Sequence, residues 1–594
     1  MKVLLIHPLD TADTGDWARQ RWDRIVDLGR DGGGIYERWR KHFDCAVETL
    51  NSFRNGFEDF YQIRELLGRG CGYLVDEYGL DWWEILSIHL HEEMETLGLL
   101  QRLAKTIDSA DDVYVSRPGL HANFLRCLLG ERVGVFRPPL GVQKGPGYYA
   151  RVFAKLSTSQ VIDILGDKYD AGYQLRGRLA RRRVPLTGPV VLIPTAYVNV
   201  TRTGMAYANT FPSENFILVA TRRSGWINNP PENVATAWLS SYVSDRNRRV
   251  GDTDMQSRLR ALVGELSRVP EFEILNRLGH LDSFPTRLRR GIEMRDAWRN
   301  VLDREPVEGV LCSDDSNPHT RIPLLLARER GLASIACHHG ALDARYLFKR
   351  SYGGVVWVKG KMEQDYLVRK CCVPEERVEI CAPALPVASQ AHDISNHRDL
   401  RPYIVFFSEL YEISGGRAEG FYRDILPPLA ELALSTSHKL VVKLHPAESK
   451  RERTRILARL LSEEQLSAIQ VVSGPLTEDL LAKTWCAVTI LSTVSTECAV
   501  RGIPCFLCKW LEAHPYEYVE QYLRFGVGVE LTGPGDIATI PRYLTQHPTN
   551  PGLAGNLYQP ATQQNLRDRL FTLRKEIGSQ KSPADVGYDD CPLA

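Results

Sequence analysis

Short apolar runs recur along this chain, each closed by a turn-forming residue and followed by a stretch whose apolar positions return at helical spacing. That alternation limits the fold more than any other feature. Strands covered on both faces read as near-continuous apolar runs, and strands alternating with helices specify a parallel sheet. The runs fall at 3–6, 113–116, 133–136, 190–194, 216–220, 308–312 and 333–337, and after Gly354 at 378–380, 403–407, 441–444, 468–472 and 487–491.

A chain of 594 residues exceeds what one hydrophobic core supports. The expected class is α/β, with two tandem doubly wound, Rossmann-like domains facing a cleft. Residues 1–353 form the first, with a helical insertion at 16–106, and 354–550 form the second, starting where VVWVKG reads as a fresh strand and turn. Residues 551–594 supply a helix at 562–577 that crosses back to the first domain, and then a tail of Gly, Ser, Pro and Asp expected to be disordered.

Composition excludes little. With 74 Lys+Arg against 73 Asp+Glu the net charge is +1, and nothing points to nucleic acid as a partner. The run at 3–6 is too short for a signal-peptide core, and no later run reaches the eighteen or so residues a membrane span needs, so a cytoplasmic location is expected. The arginines at 176, 178, 181, 182 and 183 read as a solvated face or, alternatively, as a peripheral contact with the inner face of the cell membrane. The 13 cysteines read as reduced thiols, and Cys505 and Cys508 as strand residues, because a structural zinc needs four ligands. His89 and His91, two apart on a helical pattern, point in different directions and share no metal.

Chemistry concentrates at strand ends. In VVKLHPAE at 441–448 a strand delivers His445 to the carboxyl edge, where open α/β sheets bind ligands, and Pro446 stops further pairing. Lys443 lies two residues before His445, on the same face of an extended strand. The strand at 487–491 runs into Ser492, Thr493, Ser495, Thr496 and Glu497 at a helix start, a place suited to phosphate. After 308–312 come Asp314 and Asp315; either can cap the next helix, leaving the other as a base. The strand at 333–337 ends in His338-His339-Gly340.

The runs CHHGALDARYLFKRSYGGVVWVKG, VVKLHPAE and TILSTVSTECAVRGIPCFL, spanning 337–507, resemble GT-B-fold transferases of bacterial surface-polymer assembly. The likeness is greatest to capsule-type Kdo and sialyl transferases and more distant to CDP-glycerol glycerophosphotransferases. It implies a glycosyltransferase that uses a nucleotide-activated sugar and a glycan or lipid-linked acceptor. His445, Ser495 and Thr496 would then contact donor phosphates, Glu497 the ribose or base, and His339 the reacting centre. Lys443, Glu448, Ser492 and Thr493 complete the expected donor site; His339, Asp314 and Asp315 are the candidate catalytic groups. No metal or other cofactor is expected, since no Asp-x-Asp accompanies these motifs and a helix N-terminus with basic side chains can replace a divalent ion. The alternatives are a nucleotide-sugar epimerase or hydrolase of the same shape, and a non-catalytic binding protein.

Overall fold

The computed structural model describes residues 1–8, 10, 16–29, 39, 42–136, 175, 186–243, 252–340, 342–384, 401–411, 417–446, 448–512, 516–546 and 554–576. The arginine run at 176–183 and the tail from 577 lie outside them. No helix among the described residues is long and apolar enough to cross a membrane.

Three parallel sheets carry the chain. The first comprises β1 (Lys2–Ile6), β2 (Arg24–Asp27), β3 (Ala46–Thr49), β4 (Asp112–Val115) and β5 (Val133–Val135). The second comprises β6 (Val190–Thr195), β7 (Phe216–Ala220), β8 (Val234–Trp238), β9 (Val307–Cys312), β10 (Ala333–Cys337), β11 (Val355–Val358) and β12 (Val378–Ile380). The third comprises β13 (Tyr403–Phe407), β14 (Lys439–Lys443), β15 (Ile469–Val472), β16 (Thr484–Thr489), β17 (Cys505–Cys508) and β18 (Val529–Leu531). Their orders are β3-β2-β1-β4-β5, β8-β7-β6-β9-β10-β11-β12 and β15-β14-β13-β16-β17-β18. In each, the first strand lies between the second and the fourth, the doubly wound Rossmann arrangement, so each sheet has one switch point where the winding reverses.

Two compact units result. One joins Met1–Asp59, Glu93–Thr158 and Ser389–Leu557 and holds the first and third sheets. The other joins Phe60–Glu92, Ser159–Ala388 and Tyr558–Ala594 and holds the second. This corrects the expected boundary at 353/354. β11 pairs with β10 and β12 with β11, so the second sheet runs on to Ile380. It also corrects the helical insertion at 16–106, which contributes β2 and β3 to the first sheet besides the helices Glu58–Gly68, Trp82–Ser87 and His91–Ala104. Those two strands are four residues long and carry Arg24, Asp27 and Glu48, so they lack an apolar run.

The helix Ala418–Ser435 contains Pro427 and Pro428 in its interior. Its buried stripe of Phe421, Tyr422, Ile425, Leu426, Leu429 and Ala430 packs with Phe406, Val442 and Val488 of the third sheet, and that burial outweighs the backbone hydrogen bonds the prolines forgo. The helix Gln563–Glu576 sends Leu566 and Leu570 into the core of the second sheet. The chain leading to it is stitched there by Gln559 N–H to the Lys359 carbonyl at 2.8 Å and Ala561 N–H to the Ala382 carbonyl at 2.8 Å.

Each unit has a buried ionic tie. In the first, Arg417 donates to both carboxylate oxygens of Asp27, at 3.1 and 3.2 Å, so the entrance to the helix Ala418–Ser435 is fixed to the end of β2. In the second, Asp315 accepts from Lys349 at 2.6 Å and Arg321 at 3.2 Å, and Arg321 also pairs with Glu84. Glu84 accepts the backbone N–H groups of Arg350 and Ser351 at 3.1 Å each. Two cations and two anions, none more than 3 % exposed at the side chain, thus neutralise one another. Removing one partner leaves an uncompensated buried charge, so Glu84→Ala is expected to cost about 3–5 kcal/mol in urea unfolding. A loss below about 1 kcal/mol would show that the tie contributes no more than a surface pair.

Candidate active site

At the carboxyl edge of the third sheet, β13 lies between β14 and β16, so the loops after all three strands are neighbours. β14 ends at Lys443, and the chain turns through His445 and Pro446, closed by Glu448 N–H donating to the His445 carbonyl at 2.9 Å. The Glu448 carboxylate accepts from His445 N–H at 2.7 Å, Ser408 Oγ at 2.9 Å and Arg453 Nε at 2.7 Å. Glu448 therefore braces the His-Pro turn instead of reaching for a donor. Lys443 is likewise corrected: its ammonium is buried and donates to the carbonyls of Leu444 and Gly474 at 2.8 and 2.7 Å. It locks the loop after β15 and is not a free phosphate contact. The His445 imidazole is half-buried, and burial, helped by the Lys443 charge, lowers its pKa and favours the neutral ring.

β16 stops at Thr489, two residues before the end expected from the apolar run, so Ile490 and Leu491 belong to the loop. The helix Val494–Val500 has only seven residues, and its first N–H groups are already engaged. Val494 N–H donates to Ser492 Oγ at 3.4 Å, Ser495 N–H to the Ser492 carbonyl at 3.0 Å and Thr496 N–H to the Thr493 carbonyl at 3.1 Å. Ser495 Oγ turns back to the Ser492 carbonyl at 2.7 Å, whereas Thr493 is exposed. Thr496 Oγ1 is buried without a hydrogen-bond partner, and Glu497 lies 3.8 Å from Arg501 on its own helix. The expectation of an anion site built on this helix start is thus reduced to the side chains.

Two residues missed in the sequence link these loops. Ser408 and Glu409 follow β13; Ser408 Oγ reaches Glu448, and Glu409 Oε1 accepts from Leu491 N–H at 2.9 Å and Thr489 Oγ1 at 3.0 Å. Burial raises the Glu409 pKa, so this carboxyl resists ionisation where it holds the hydroxyl loop. The only sequence signal was their place directly after YIVFF.

In the second unit the loops after β9 and β10 build another cluster. Asp315 is fully engaged with Lys349 and Arg321, which removes it as a base. Asp314 is buried and accepts from Ser316 N–H at 2.9 Å and Asn317 Nδ2 at 3.3 Å; Asn317, not either aspartate, is the N-cap of the helix Pro318–Glu329. His338 Nδ1 accepts from Gly340 N–H at 3.0 Å, and its Nε2 lies 3.3 Å from Arg345 Nη2 and 3.5 Å from Asp343 Oδ2. Asp343 also accepts from Arg345 Nε at 2.8 Å and Ser316 Oγ at 3.0 Å. The His339 ring lies 4.4 Å from that of His338, and its Nδ1 is buried without a partner. Lys359 donates to the His338 and Gly340 carbonyls and pins the turn from behind.

The electrostatics separate these groups. Burial pushes His338 down to about 3 and also lowers His339. Burial opposes ionisation of Asp343 and Asp314, but Arg345 and the neighbouring imidazoles outweigh it and hold both carboxyls below their ordinary value. His338, at about 3, is too weak a base to take a proton near neutral pH, which leaves the neutral His339 beside ionised Asp314 as the candidate acceptor. Ligand atoms of Asp314, His338 and Asp343 lie within 4.8 Å of one another, close enough for a divalent cation to bridge them. Arg345 already supplies positive charge at the same carboxylate. Asp343, Arg345 and Lys359 stood in the HHGALDAR and VVWVKG runs without being singled out, and His338 was named only for its place beside His339.

No family model matches the sequence, and no curated protein matches it. Among solved structures, the chain is similar to a UDP-GlcNAc 2-epimerase from Neisseria meningitidis bound to UDP-GlcNAc, at 12% identity over 65% of this chain and 99% of that one, with a TM-score of 0.38. It is similar to the S. aureus MnaA-UDP co-structure at 11% identity over 68% and 100%, with a TM-score of 0.37. A UDP-glucose: anthocyanidin 3-O-glucosyltransferase in complex with UDP gives 11% identity over 68% and 96%, with a TM-score of 0.35. Scores of this size establish no shared activity.

The His338 shift has a consequence for stability. Its folded pKa of about 3 lies below the ordinary 6.5, so the unfolded chain binds an extra proton between those values. The contribution is complete above about pH 6.5 and is lost as pH falls through that window. Urea midpoints measured at pH 7.5, 6 and 5 should fall with pH, and more gently for His338→Gln; equal slopes would contradict the assignment.

Proposed function

We propose that this chain is a GT-B-type glycosyltransferase, which moves a sugar or related polyol phosphate from a nucleotide-activated donor to a surface-polysaccharide or glycolipid acceptor without a metal ion. The observation that carries the reading is the link through Ser408 and Glu409. Adjacent residues at the end of β13 hold both the His445 turn and the 489–496 loop, the two motifs whose residue types suit a nucleotide phosphate. The half-buried His445 and Thr496, whose buried hydroxyl has no hydrogen-bond partner, are assigned to the donor.

Proton transfer is assigned to His339, which the resemblance places near the reacting centre. His339, neutral and with its buried Nδ1 unpartnered, accepts the acceptor's hydroxyl proton. Asp314 steadies the resulting imidazolium through its ionised carboxylate. The new bond joins the acceptor oxygen to the transferred group as the bond to the donor phosphate breaks, and the phosphate leaves with the nucleotide. His338, held at both ring nitrogens, positions the turn and takes no proton.

Incubation with a panel of nucleotide sugars in EDTA is expected to release nucleotide only when an acceptor is present. Release without acceptor would favour the epimerase or hydrolase reading. Loss of all turnover in EDTA would implicate the Asp314, His338 and Asp343 group as a cation site. Donor binding with no turnover under any condition would leave a binding protein. His445→Ala is expected to weaken donor affinity and lower turnover together; His339→Ala should keep donor affinity and lower turnover about 10²–10⁴-fold. Equal affinity losses in the two variants would overturn this division of roles.

A further inference from the structure

The second unit carries a cavity that the roles above do not use. The helix Val198–Thr210 starts after β6, and together with the segment after β7 it encloses about 460 Å³. The walls include Val198, Met205, Ala206, Trp226 and Ile227, and Arg202 also lines the space. That volume falls in the range of small-molecule sites, and predominantly apolar walls with few polar groups are their usual make-up.

Its walls are firm. The Trp226 ring stacks on Trp238 with centroids 4.5 Å apart and planes 4° from parallel, so the indole is a fixed surface. Thr201 also lines the space, but its hydroxyl donates to the Gly225 carbonyl at 2.7 Å and meets Thr195 Oγ1 at 2.7 Å, so its polarity is spent inside the protein. The exposed polar side chains left at the cavity are Arg202 and Asn209, which offer one cation and one amide. A glycan would need many convergent donors and acceptors, and this lining does not supply them. The same helix abuts the catalytic loop: a Cβ on Gly204 would stand 2.6 Å from Ile193 Cγ2 and 3.3 Å from Ser313 Oγ, so only glycine lets the helix lie this close to the residue preceding Asp314.

We propose that this cavity binds the hydrocarbon of an anionic amphiphile, an alkyl or isoprenyl phosphate monoester, with its chain against Trp226, Ile227 and Met205 and its phosphate at Arg202. A planar guanidinium suits a phosphate through paired hydrogen bonds. The assignment of this ligand as the acceptor rests on the transferase reading; its binding does not. On that reading the substrate class is a lipid phosphate, and the proton taken is the P–OH proton of its monoprotonated phosphate as that oxygen bonds to the transferred group.

The test uses the full chain and decyl phosphate kept below its micellar concentration, read by tryptophan fluorescence and calorimetry, with inorganic phosphate, decanol and a neutral oligosaccharide as comparators. Decyl phosphate is expected to bind, and inorganic phosphate and the oligosaccharide are not. Ala206→Trp, which fills the cavity, should abolish binding while leaving melting temperature and nucleotide affinity unchanged. Arg202→Gln, at an exposed position, should weaken decyl phosphate about tenfold and leave decanol unaffected. Unchanged decyl phosphate affinity in either variant, or binding of the oligosaccharide in preference to decyl phosphate, would overturn the proposal. Failure of every nucleotide to bind, with this variant pattern intact, would sink the transferase reading and leave the amphiphile site standing.

Discussion

The buried quartet of Glu84, Arg321, Asp315 and Lys349 is the constraint on which the second unit depends. Charges so deeply buried persist only when each has a partner, and here the partners come from four places in the chain. Glu84 lies on the helix Trp82–Ser87, Asp315 follows β9, Arg321 is in the helix Pro318–Glu329, and Lys349 follows the turn Ala344–Phe348. Lys349 Nζ also sits 3.5 Å from the centre of the Tyr346 ring, a cation–π contact that gives the ammonium a second partner. With both ends of the 338–349 loop anchored, by Lys359 at one and Lys349 at the other, Asp343 has little freedom but to meet His338 and Arg345.

The first unit repeats the device with fewer charges. Asp27 gathers Arg417, the Trp39 indole N–H at 2.7 Å and Gly29 N–H at 2.8 Å, so the carboxyl edge of the first sheet is tied to the start of the helix that covers the third. Ser408, Glu409, Glu448 and Lys443 then spend their polar atoms on backbone and on one another, which leaves a small, pre-arranged set of groups at that edge. Preorganisation of this kind favours binding because little ordering remains to be done when a ligand arrives.

What was legible in the sequence follows from locality. β7, β10 and β13 match their apolar runs at both ends, because a strand buried on two faces needs only its own residues to be apolar. β2 and β3 were invisible for the opposite reason: short and interrupted by charged residues, they become strands through the neighbours they pair with. The break placed at Gly354 failed because nothing inside VVWV says which sheet it joins; that information lies in its pairing with β10. Lys443 and Glu448 have the composition of ligand groups, and only the positions of Gly474 and Ser408, distant in sequence, and of Arg453 one turn into the next helix show that they serve the fold. His445 and His339 could be placed just after their strands from sequence alone, because strand ends at the carboxyl edge are recognisable locally. Asp315 was misjudged because its partners, Lys349 and Arg321, are supplied by tertiary structure.

The central claim is that the donor nucleotide is held by the carboxyl edge of the third sheet, through loops joined by Ser408 and Glu409. Hydrogen–deuterium exchange of the full chain, with and without a saturating nucleotide from a cytidine, uridine and guanosine panel, measures this most directly. The account predicts slowed exchange at 408–411, at 445 and 448, and across 489–496, with the interior strands of the third sheet unchanged. Protection confined to the loops after β6, β9 and β10, with none at 489–496, would contradict it.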